Sequence, residues 1–554
     1  MSKNICLAQT ISELKFILDK SKIDLVCIPL NLKVLLYCEI NNIEYLNPKN
    51  YLDNNFHKKS IETSNEFTSS VKFLEEIDYN IKIEFIAYLR FRLHSILFVT
   101  NILDEINKKE KIEQIYLSGW TQRQFKNLEG YYLFEIQDLI KNKFKLNILS
   151  KKEISENINQ FYTYEIKGRT KNKKKNILLS NLAYNFKRFI FDKYRKNYNF
   201  YFITENKVSL LQKFIFFCLK VTPLFLSKKN LKKNNTAIKY EFKKDPKFFF
   251  GSTLEKMMFN FEAYFHNLRE KNLAVESFLV SNKFDLILSN IVRGVGGSVI
   301  EIGEKLNIKT ACITHGTIAP NFDEHDKIYK KIIAEAVFSG NSKNFAIQSK
   351  ICDKSLKTHK IKGKKFISGN INFVQNNSKS DKEYAVYAVT LKDFFNSQFF
   401  GVEMFYEFNE NLKQLNEISS KGEIKIIVKV HPSQNHCVEL LKQTYKSLIF
   451  SKKSIDKLFK KSYATITFSS SVIEDSLYSK IPVILMDQWK RYIHCESEKN
   501  PSVKNRPIYY INKFTDLEKC LLNLKSPSEI NFSEYIYNTH YKENISNSIL
   551  SLIK

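Results

Sequence analysis

The chain has 554 residues, which is too many for a single hydrophobic core and predicts two or three domains. Hydrophobic residues make up 43% and charged residues 26% of the sequence, as in an ordinary globular protein. The 87 lysine and arginine residues outnumber the 58 acidic residues by 29, so the expected partners are anionic: nucleic acid, acidic lipid, or a charged glycan or nucleotide. The abundance of Lys, Asn, Ile, Phe and Tyr fits a coding bias towards A/T-rich codons equally well.

The nine cysteines lie one by one along the chain, and no CxxC pair is present. This pattern predicts buried thiols in a reduced, cytoplasmic protein, and it argues against a zinc site or a disulfide framework. The N-terminal sequence lacks the apolar core of a secretory signal. The longest apolar stretch, residues 214–226, is broken by Lys220 and Pro223 and is too short to span a bilayer. We expect a buried helix there, with a helix lying on a membrane surface as the alternative.

The first 150 residues alternate strand-like apolar runs with helical patterns. Strand-like runs lie at residues 23–29, near Leu35, at 114–118 and at 146–149, and a helical pattern covers residues 84–107. Strands that alternate with helices predict a parallel sheet.

Residues 150–250 differ from the chain on either side. They contain the charge runs 169–175 and 228–233, with aromatic and basic residues between them. We interpret this region as an insertion or connector with a basic surface. That surface is either solvated, or it faces an anionic membrane or a glycan through segment 169–233.

From residue 260 onwards the pattern becomes regular. Strands are predicted at residues 284–290, 309–314, 336–339 and 365–368, with a glycine-rich turn at 293–298 and a helix at 299–306. After a polar linker at 378–382, a second series has strands at 384–389, 424–430, 465–468 and 481–486. We therefore predict an α/β protein with two Rossmann-like, doubly wound domains facing across a cleft, at residues 1–375 and 383–554.

Ligands of open α/β sheets bind beyond the carboxyl ends of the strands, so residues at predicted strand ends are the first candidates. Ser469, Ser470 and Ser471 end one strand of the second series, and a helix starts directly after them. Ser471 and Glu474 have the spacing of a capping box. Free backbone N–H groups, the positive helix end and the hydroxyls would together bind an anion. An ordinary capped helix is the alternative.

The preceding strand of this series ends in His431 and Pro432. Proline stops the strand and leaves the histidine at its end, where an imidazole can neutralise a departing phosphate or donate a proton to it. A histidine that only caps a turn is the alternative. His431 is predicted to be catalytic. The residues predicted to bind the donor substrate, which carries this phosphate, are Thr390, Lys429, Pro432, Ser469, Ser470, Ser471 and Glu474.

A similar strand end in the first half carries His315, Gly316 and Thr317, and an acidic cluster follows it. If the two halves face each other, this loop lies opposite His431, and one of its carboxylates can act as the general base for an acceptor hydroxyl. A solvated acidic loop is the alternative. The candidate catalytic residues here are His315, Asp323, Glu324 and Asp326.

The glycine-rich turn contains Arg293, Gly294, Gly296 and Gly297, but it is not GxGxxG and is a weak dinucleotide fingerprint. We interpret it, with Gly316 and Thr317, as a loop that faces the donor or the acceptor in the cleft. No GxxxxGK[ST], GxSxG or HExxH sequence occurs, and no DxD stands at a convincing strand end. We therefore expect no P-loop, no hydrolase nucleophile and no bound metal.

Residues 280–490 resemble GT-B glycosyltransferases of bacterial surface carbohydrate synthesis. The resemblance rests on the Thr-His-Gly-Thr sequence at 314–317, the Val-His-Pro sequence at 430–432, the serines with Glu474 and Asp475, and Pro482 with Val483. The His-Pro and serine signatures are similar to those of bacterial sialyl-, polysialyl- and Kdo transferases, which use CMP-sugars. The resemblance implies that His431, Ser470 and Ser471 hold the nucleotide phosphate.

The His-Gly-Thr and serine signatures also resemble CDP-glycerol glycerophosphotransferases of teichoic acid synthesis. Those enzymes usually carry Trp before His-Gly-Thr and Asp-Tyr before the serines, where this chain has Thr314 and Thr467 with Phe468. This departure counts against a glycerol-phosphate substrate.

The resemblance implies a metal-independent glycosyltransferase without a cofactor, which moves a sugar from a nucleotide donor, with a CMP-linked acidic sugar favoured, to a surface polysaccharide or a lipid-linked glycan. Such an enzyme is expected in the cytoplasm, with peripheral contact at the inner face of the bacterial plasma membrane. The alternatives are a nucleotide-sugar epimerase of the same fold and a CDP-alcohol phosphotransferase. A basic nucleic-acid-binding protein is the least favoured, since no RRM, KH, OB or helix-turn-helix signature supports it.

Overall fold

A computed structural model shows residues 2–53, 55–119, 133–149, 161–171, 174–182, 186, 197–205, 208–231, 238–243, 252–313, 327, 334, 342–370, 381–389, 403–490, 492–525, 529–537 and 549–553. These residues form three sheets of mainly parallel strands covered by helices, and one short antiparallel strand pair. The predicted α/β fold class is confirmed.

The N-terminal sheet has four parallel strands, β1 (Lys3–Ala8), β2 (Val26–Pro29), β4 (Ile112–Leu117) and β5 (Leu146–Ile148), in the order β2-β1-β4-β5. Its helices are α1 (Ile11–Ser21), α2 (Leu32–Ile40), α3 (Phe56–Ser69), α4 (Tyr79–Lys109) and α5 (Leu133–Lys141), with a 3₁₀ turn at Pro48–Asn50. The strand-like run near Leu35 is helical instead. Asn31 caps this helix, because its side chain accepts a hydrogen bond from the backbone N–H of Lys33 at 2.8 Å.

Two long helices, α4 and α7 (Ser252–Ser281), join this sheet to the next, where strand β3 (Val71–Phe73) also pairs with β10 (Tyr240–Phe242). The carboxylate of Glu301 accepts hydrogen bonds from the backbone N–H groups of Tyr79 and Asn80, both at 2.9 Å, which fixes the start of α4. Within the described ranges, α4 alone is long and apolar enough to cross a membrane. Since 72% of its most apolar window is buried inside the protein, it fits the description of a core helix.

The central sheet has eight strands: β6 (Tyr162–Lys167), β7 (Lys175–Leu179), β8 (Tyr198–Thr204), β9 (Val221–Leu231), β11 (Leu286–Ser289), β12 (Lys309–Ile313), β13 (Asn344–Ile347) and β14 (Lys364–Ile367). Their order is β14-β13-β12-β11-β7-β8-β9-β6, and all neighbours are parallel except β6 and β9. The chain leaves β7 in both directions, so the sheet is doubly wound. Its helices are α6 (Leu210–Leu219), α7, α8 (Gly294–Lys305) and α9 (Lys350–Thr358).

The interpretation of residues 150–250 as an insertion or connector is wrong, because this region supplies β6 to β9 of the central sheet. Ile177, Leu178 and Leu179 of β7 are fully buried. The apolar run is only three residues long and follows a row of lysines, which is why the strand was not evident. The predicted strand at 336–339 lies outside the described residues.

The C-terminal sheet has six parallel strands: β15 (Tyr384–Ala388), β16 (Ile426–Lys429), β17 (Ile449–Ser451), β18 (Ser462–Thr467), β19 (Val483–Met486) and β20 (Ile508–Ile511). The order β17-β16-β15-β18-β19-β20 is the 3-2-1-4-5-6 order of a Rossmann fold. Its helices are α10 (Met404–Ser420), α11 (Val438–Thr444), α12 (Ile455–Phe459), α13 (Val472–Tyr478) and α14 (Phe514–Lys525), with 3₁₀ turns at Pro432–Cys437 and Leu550–Ile553. The prediction of two Rossmann-like, doubly wound sheets is thus confirmed.

Hydrogen bonds connect the three sheets and their helices. The N-terminal sheet meets α10, where Asn47 and Lys49 donate to the carboxylate of Glu410 at 2.8 and 3.2 Å. The central sheet meets α13, where the hydroxyl of Tyr478 donates to the backbone carbonyl of Gln348 at 2.7 Å. After the C-terminal sheet the chain returns to the central sheet, where Ile549, Leu550 and Ile553 pack into the hydrophobic core.

Candidate functional site

The ends of β16 and β18 lie on either side of β15, at the carboxyl edge of the C-terminal sheet. Lys429 ends β16 and His431 lies two residues after it, while Ser469, Ser470 and Ser471 follow β18. Because β15 is the hydrogen-bonded neighbour of both strands, the axes of β16 and β18 are about 10 Å apart. This is the topological switch point, where ligands of Rossmann-like sheets bind.

The end of β16 combines a lysine with a histidine. The Lys429 ammonium donates to the carbonyl of Val430 at 2.8 Å, and partial burial lowers the pKa of this lysine. His431 is half-buried, and its carbonyl accepts a hydrogen bond from the backbone N–H of Gln434 at 2.9 Å. Pro432 begins the 3₁₀ turn that follows. A cation and an imidazole therefore stand together at one strand end.

The serine segment after β18 differs from a capping box. Ser471 has helical backbone angles and makes no side-chain cap, whereas the backbone N–H of Val472 donates to the hydroxyl of Ser470 at 3.3 Å. The hydroxyl of buried Ser469 lies 2.9 Å from Nδ1 of buried His494. With only seven residues in α13, the polar groups available at this edge are chiefly the hydroxyls of Ser470 and Ser471, both half-buried.

Glu474 occupies a different position from the one that the capping-box spacing predicts. Its carboxyl group is buried and accepts a hydrogen bond at 3.1 Å from the hydroxyl of Ser349, which caps α9 of the central sheet. Burial and the charge of Asp475 raise the pKa of Glu474 to about 8, against the effect of the Ser349 hydroxyl, which lowers it. Glu474 therefore connects the two Rossmann-like sheets. The prediction that it forms a capping box with Ser471 is wrong.

The predicted glycine-rich loop is also different in the structure. Gly294 to Lys305 is helix α8, with Arg293 at its N-cap and Gly294 at φ +53°. A Cβ atom on Gly296 would lie 2.4 Å from the carbonyl oxygen of Ile291, and one on Gly297 would lie 2.5 Å from that of Val292. These two buried glycines therefore let the helix pack closely against the preceding turn, which explains them without a ligand.

Seven of the predicted site residues lie outside the described part of the chain. They are Thr390 of the donor-binding set and, in the first half, His315, Gly316, Thr317, Asp323, Glu324 and Asp326. Their proposed roles stay predictions.

A polar cluster at the switch point of the central sheet was missed by the sequence reasoning. The hydroxyl of Ser289, the last residue of β11, donates to the hydroxyl of Ser180, directly after β7, at 2.9 Å. Beside them, the amide of Asn181 donates to the side-chain oxygen of Asn290 at 3.0 Å. The available signal was the Ser-Asn pair that ends each of the two apolar runs, 177–179 and 286–288.

Asp487, directly after β19, was missed as well. Its carboxylate is buried and accepts hydrogen bonds at 2.9 Å from the backbone N–H of Tyr492 and from the hydroxyl of Tyr510. It orders the segment that brings His494 to Ser469. An acidic residue immediately after an apolar run was the signal in the sequence.

A large cavity lies elsewhere in the protein. This groove of about 1380 Å³ runs along the amino ends of β7 and β11 and is lined by Arg169, Lys174, Lys175 and Lys229, together with Asp285 and residues of α7. It lies at the sheet edge opposite to the strand ends described above. Because ligands of open sheets bind at the carboxyl edge, we place the candidate site at the strand ends and not in this groove.

No protein-family model and no curated protein matches the chain. Among solved structures, the UDP-GlcNAc 2-epimerase of Methanocaldococcus jannaschii, in complex with UDP-GlcNAc and UDP, is 14% identical, with 68% of this chain and 99% of that chain covered and a TM-score of 0.42. The calicheamicin glycosyltransferase CalG4 is 9% identical, with coverages of 69% and 96% and a TM-score of 0.39. A TarM mutant of S. aureus, in complex with fondaparinux, α-GlcNAc-glycerol and UDP, is 14% identical, with coverages of 52% and 59% and a TM-score of 0.31. Likenesses this weak carry no argument about activity.

Proposed function

We propose that the protein is a glycosyltransferase that moves a sugar from a nucleotide donor to a glycan or lipid-linked acceptor. The observation that supports this proposal is the position of Lys429, His431 and the serines at the ends of two strands that flank β15, at the switch point of a Rossmann-ordered sheet. A lysine, an imidazole and several hydroxyls are the donors that a phosphate group requires. This combination suits a nucleotide whose phosphate leaves during the reaction.

The reaction is a displacement at the anomeric carbon of the donor sugar. As the bond from this carbon to the phosphate oxygen breaks, negative charge develops on the leaving nucleotide phosphate. Lys429, His431 and the hydroxyls of Ser470 and Ser471 stabilise that charge, and His431 can donate a proton to it. One such donor typically contributes about 10²–10³-fold to turnover.

The acceptor approaches from the central sheet. At its switch point the side-chain amide of half-buried Asn181 suits the hydroxyl groups of a glycan. Ser180, Ser289 and Asn290 are buried there, and the hydrogen bonds described above hold this strand end in place. We keep Asp323, Glu324 and Asp326 as candidates for the base that removes the acceptor proton. We also keep a CMP-linked acidic sugar as the favoured donor, because of the resemblance of the His-Pro and serine signatures to CMP-sugar-dependent transferases.

The test measures nucleotide binding first and acceptor dependence second. A thermal-shift panel of CMP, CDP, UDP, GDP and their sugar derivatives identifies the base and phosphate number through the rise in Tm that a bound ligand produces. The nucleotide sugar found in this way is then incubated with the protein, with and without a glycan acceptor. Release of free nucleotide only when acceptor is present supports the proposal. Conversion of the sugar nucleotide to an epimer without acceptor would replace it with the epimerase alternative, and no Tm change with any nucleotide would reject both.

We further propose that α6 contacts an anionic membrane surface. The sequence predicts a buried helix here, but none of the ten residues of α6 is buried. Leu210, Phe214 and Phe217 are 83%, 64% and 80% exposed, while Phe216 packs on Phe202 of the central sheet with ring centroids 4.9 Å apart. Leaving such side chains in water forfeits about 1.5–3 kcal/mol each.

Two exposed lysines accompany this apolar face. Lys213 lies on α6, and Lys220 directly follows it. Apolar side chains beside lysines suit the boundary between acyl chains and anionic headgroups, where each basic residue contributes about 1 kcal/mol. This arrangement would bring the enzyme to a lipid-linked acceptor.

The test is flotation with vesicles of phosphatidylglycerol and phosphatidylethanolamine, with phosphatidylcholine vesicles as the uncharged comparison. The protein should float with the anionic vesicles and lose this binding in the double variant Phe214→Glu, Phe217→Glu. Val280→Glu, at a 68% exposed position of α7, serves as the matched control and should bind like the unchanged protein. Equal flotation of both variants, or a concentration-dependent dimer through α6 without vesicle binding, would contradict a membrane role.

A further inference from the structure

Two histidines and a glutamate converge where the N-terminal sheet meets the C-terminal sheet. Nδ1 of His57, on α3, lies 3.4 Å from one carboxylate oxygen of Glu403, and Nε2 of His94, on α4, lies 3.1 Å from the other. His57 and His94 are each 7% exposed, and Glu403 is 1% exposed. Neither predicted catalytic chemistry nor the packing of the sheets requires this combination.

The geometry fits a metal ion. The three potential ligand atoms all lie within 4.8 Å of one another. Two ligand atoms bound to tetrahedral zinc at 2.0–2.1 Å are about 3.4 Å apart, which is close to both nitrogen–oxygen separations. Two imidazoles and one carboxylate also form a ligand set that divalent transition metals use with further positions open.

A small cavity provides room for an additional ligand. It has a volume of about 30 Å³ and is lined by His57, Glu403, Phe56, Leu52, Lys49, Asp53 and Trp489. This volume accommodates one water molecule. Trp489 fixes one wall, because its backbone N–H donates to Glu407 at 3.1 Å and its indole N–H donates to Glu410 at 3.0 Å.

Electrostatics favours a cation at this position. A buried carboxylate is stable only when positive charge or several hydrogen bonds compensate for its lost hydration. A divalent ion bound by the two imidazole nitrogens and the carboxylate would supply this positive charge. A proton held between Glu403 and the histidines is the competing way to balance the charge.

We propose that His57, His94 and Glu403 bind one divalent transition-metal ion, with zinc as the first candidate, and that this ion joins the N-terminal sheet to the C-terminal one. Both histidines belong to helices of the N-terminal sheet, whereas Glu403 stands at the N-cap of α10. The ion therefore holds the start of α10 against the N-terminal unit. The leaving-group chemistry proposed for Lys429 and His431 does not involve it.

The experiment uses the full chain, stripped with EDTA and then exposed to ZnCl₂ before desalting. Mass spectrometry of the metal content should give one zinc per chain, and zinc at 100 times its Kd should raise Tm by about 3 °C or more. His94→Gln and Glu403→Gln should lose both the bound zinc and the rise in Tm. His359→Gln, which changes a half-buried histidine outside the cluster, should keep both.

The unchanged protein decides the question even if a variant fails to fold. If the unchanged protein retains no zinc, cobalt or manganese, and none of these three metals changes its Tm, the proposal is overturned. A proton held between Glu403 and the histidines is then the remaining explanation. Stoichiometric zinc that persists in Glu403→Gln would also overturn it, since the ion would then be bound elsewhere. If the protein exposed to zinc retains it, and the EDTA-stripped protein still transfers the sugar at the same rate, the result supports a joining role that is separate from the proposed reaction.

Discussion

The buried carboxyl group of Glu474 makes the stability of the protein depend on pH in an unusual direction. Burial, with the nearby charge of Asp475, raises the pKa of this group from 4.5 to about 8 in the folded protein. The folded state therefore holds a proton at pH values where the unfolded chain has released it. The contribution to the free energy of unfolding is fully present below pH 4.5 and is lost as the pH rises through about 8.

The magnitude follows from the two pKa values. A rise from 4.5 to about 8 corresponds to about 5 kcal/mol, of which about 4 kcal/mol is lost between pH 5 and pH 8.5. Glu474→Gln keeps the shape and the acceptor for the Ser349 hydroxyl but cannot ionise. The amide N–H groups of the new side chain carry a desolvation cost of about 1–3 kcal/mol that is the same at every pH. The pH dependence thus isolates the ionisation.

The measurement is urea-induced unfolding of both proteins at pH 5 and pH 8.5. We expect the free energy of unfolding of the variant, relative to the unchanged protein, to increase by about 4 kcal/mol between the two pH values. Glu439→Gln, which removes a carboxylate that is 76% exposed on α11, is the matched control and should show no such increase. If the free energies of unfolding of the Glu474→Gln variant and the unchanged protein change equally between these pH values, the buried, protonated state of Glu474 is refuted.

Two further substitutions test the candidate site and the packing of the central sheet. His431→Ala should lower kcat for sugar transfer about 10²–10³-fold with an unchanged Tm, whereas His436→Ala, at an exposed position of the 3₁₀ turn that follows, should keep full turnover. Unchanged turnover in His431→Ala would remove this histidine from the mechanism. Gly297→Ala should destabilise the protein by about 1–3 kcal/mol, because the new methyl group would lie 2.5 Å from the Val292 carbonyl oxygen and 2.9 Å from Cβ of Asn80. Val295→Ala on the same helix is the comparison, and an equal Tm for both variants would argue against close packing at Gly297.

The regular part of the fold could be predicted because buried parallel strands are continuous apolar runs. The runs at 424–430 and 465–468 correspond to β16 and β18, and His431 and Ser469 follow directly after these runs. Strand β7 could not be found in this way, since only three apolar residues follow its lysines. Ser180 and Asn181, which follow β7, were therefore not recognised as polar residues at a strand end.

Local spacing also failed where distant contacts decide the structure. Ser471 and Glu474 have the spacing of a cap, but the partner of Glu474 is Ser349, which lies 125 residues earlier in the chain. The cluster of His57, His94 and Glu403 is equally invisible in the sequence, because Glu403 is separated from His94 by 309 residues. Exposure of α6 contradicts its composition, which predicts a buried helix.

The return of residues 549–553 to the central sheet constrains any motion between the two Rossmann-like halves. The polypeptide passes from one half to the other twice, once after β14 and once before this returning segment. Two covalent crossings limit how far one half can move from the other, because the chain that leaves the central sheet after β14 also ends in the core of that sheet.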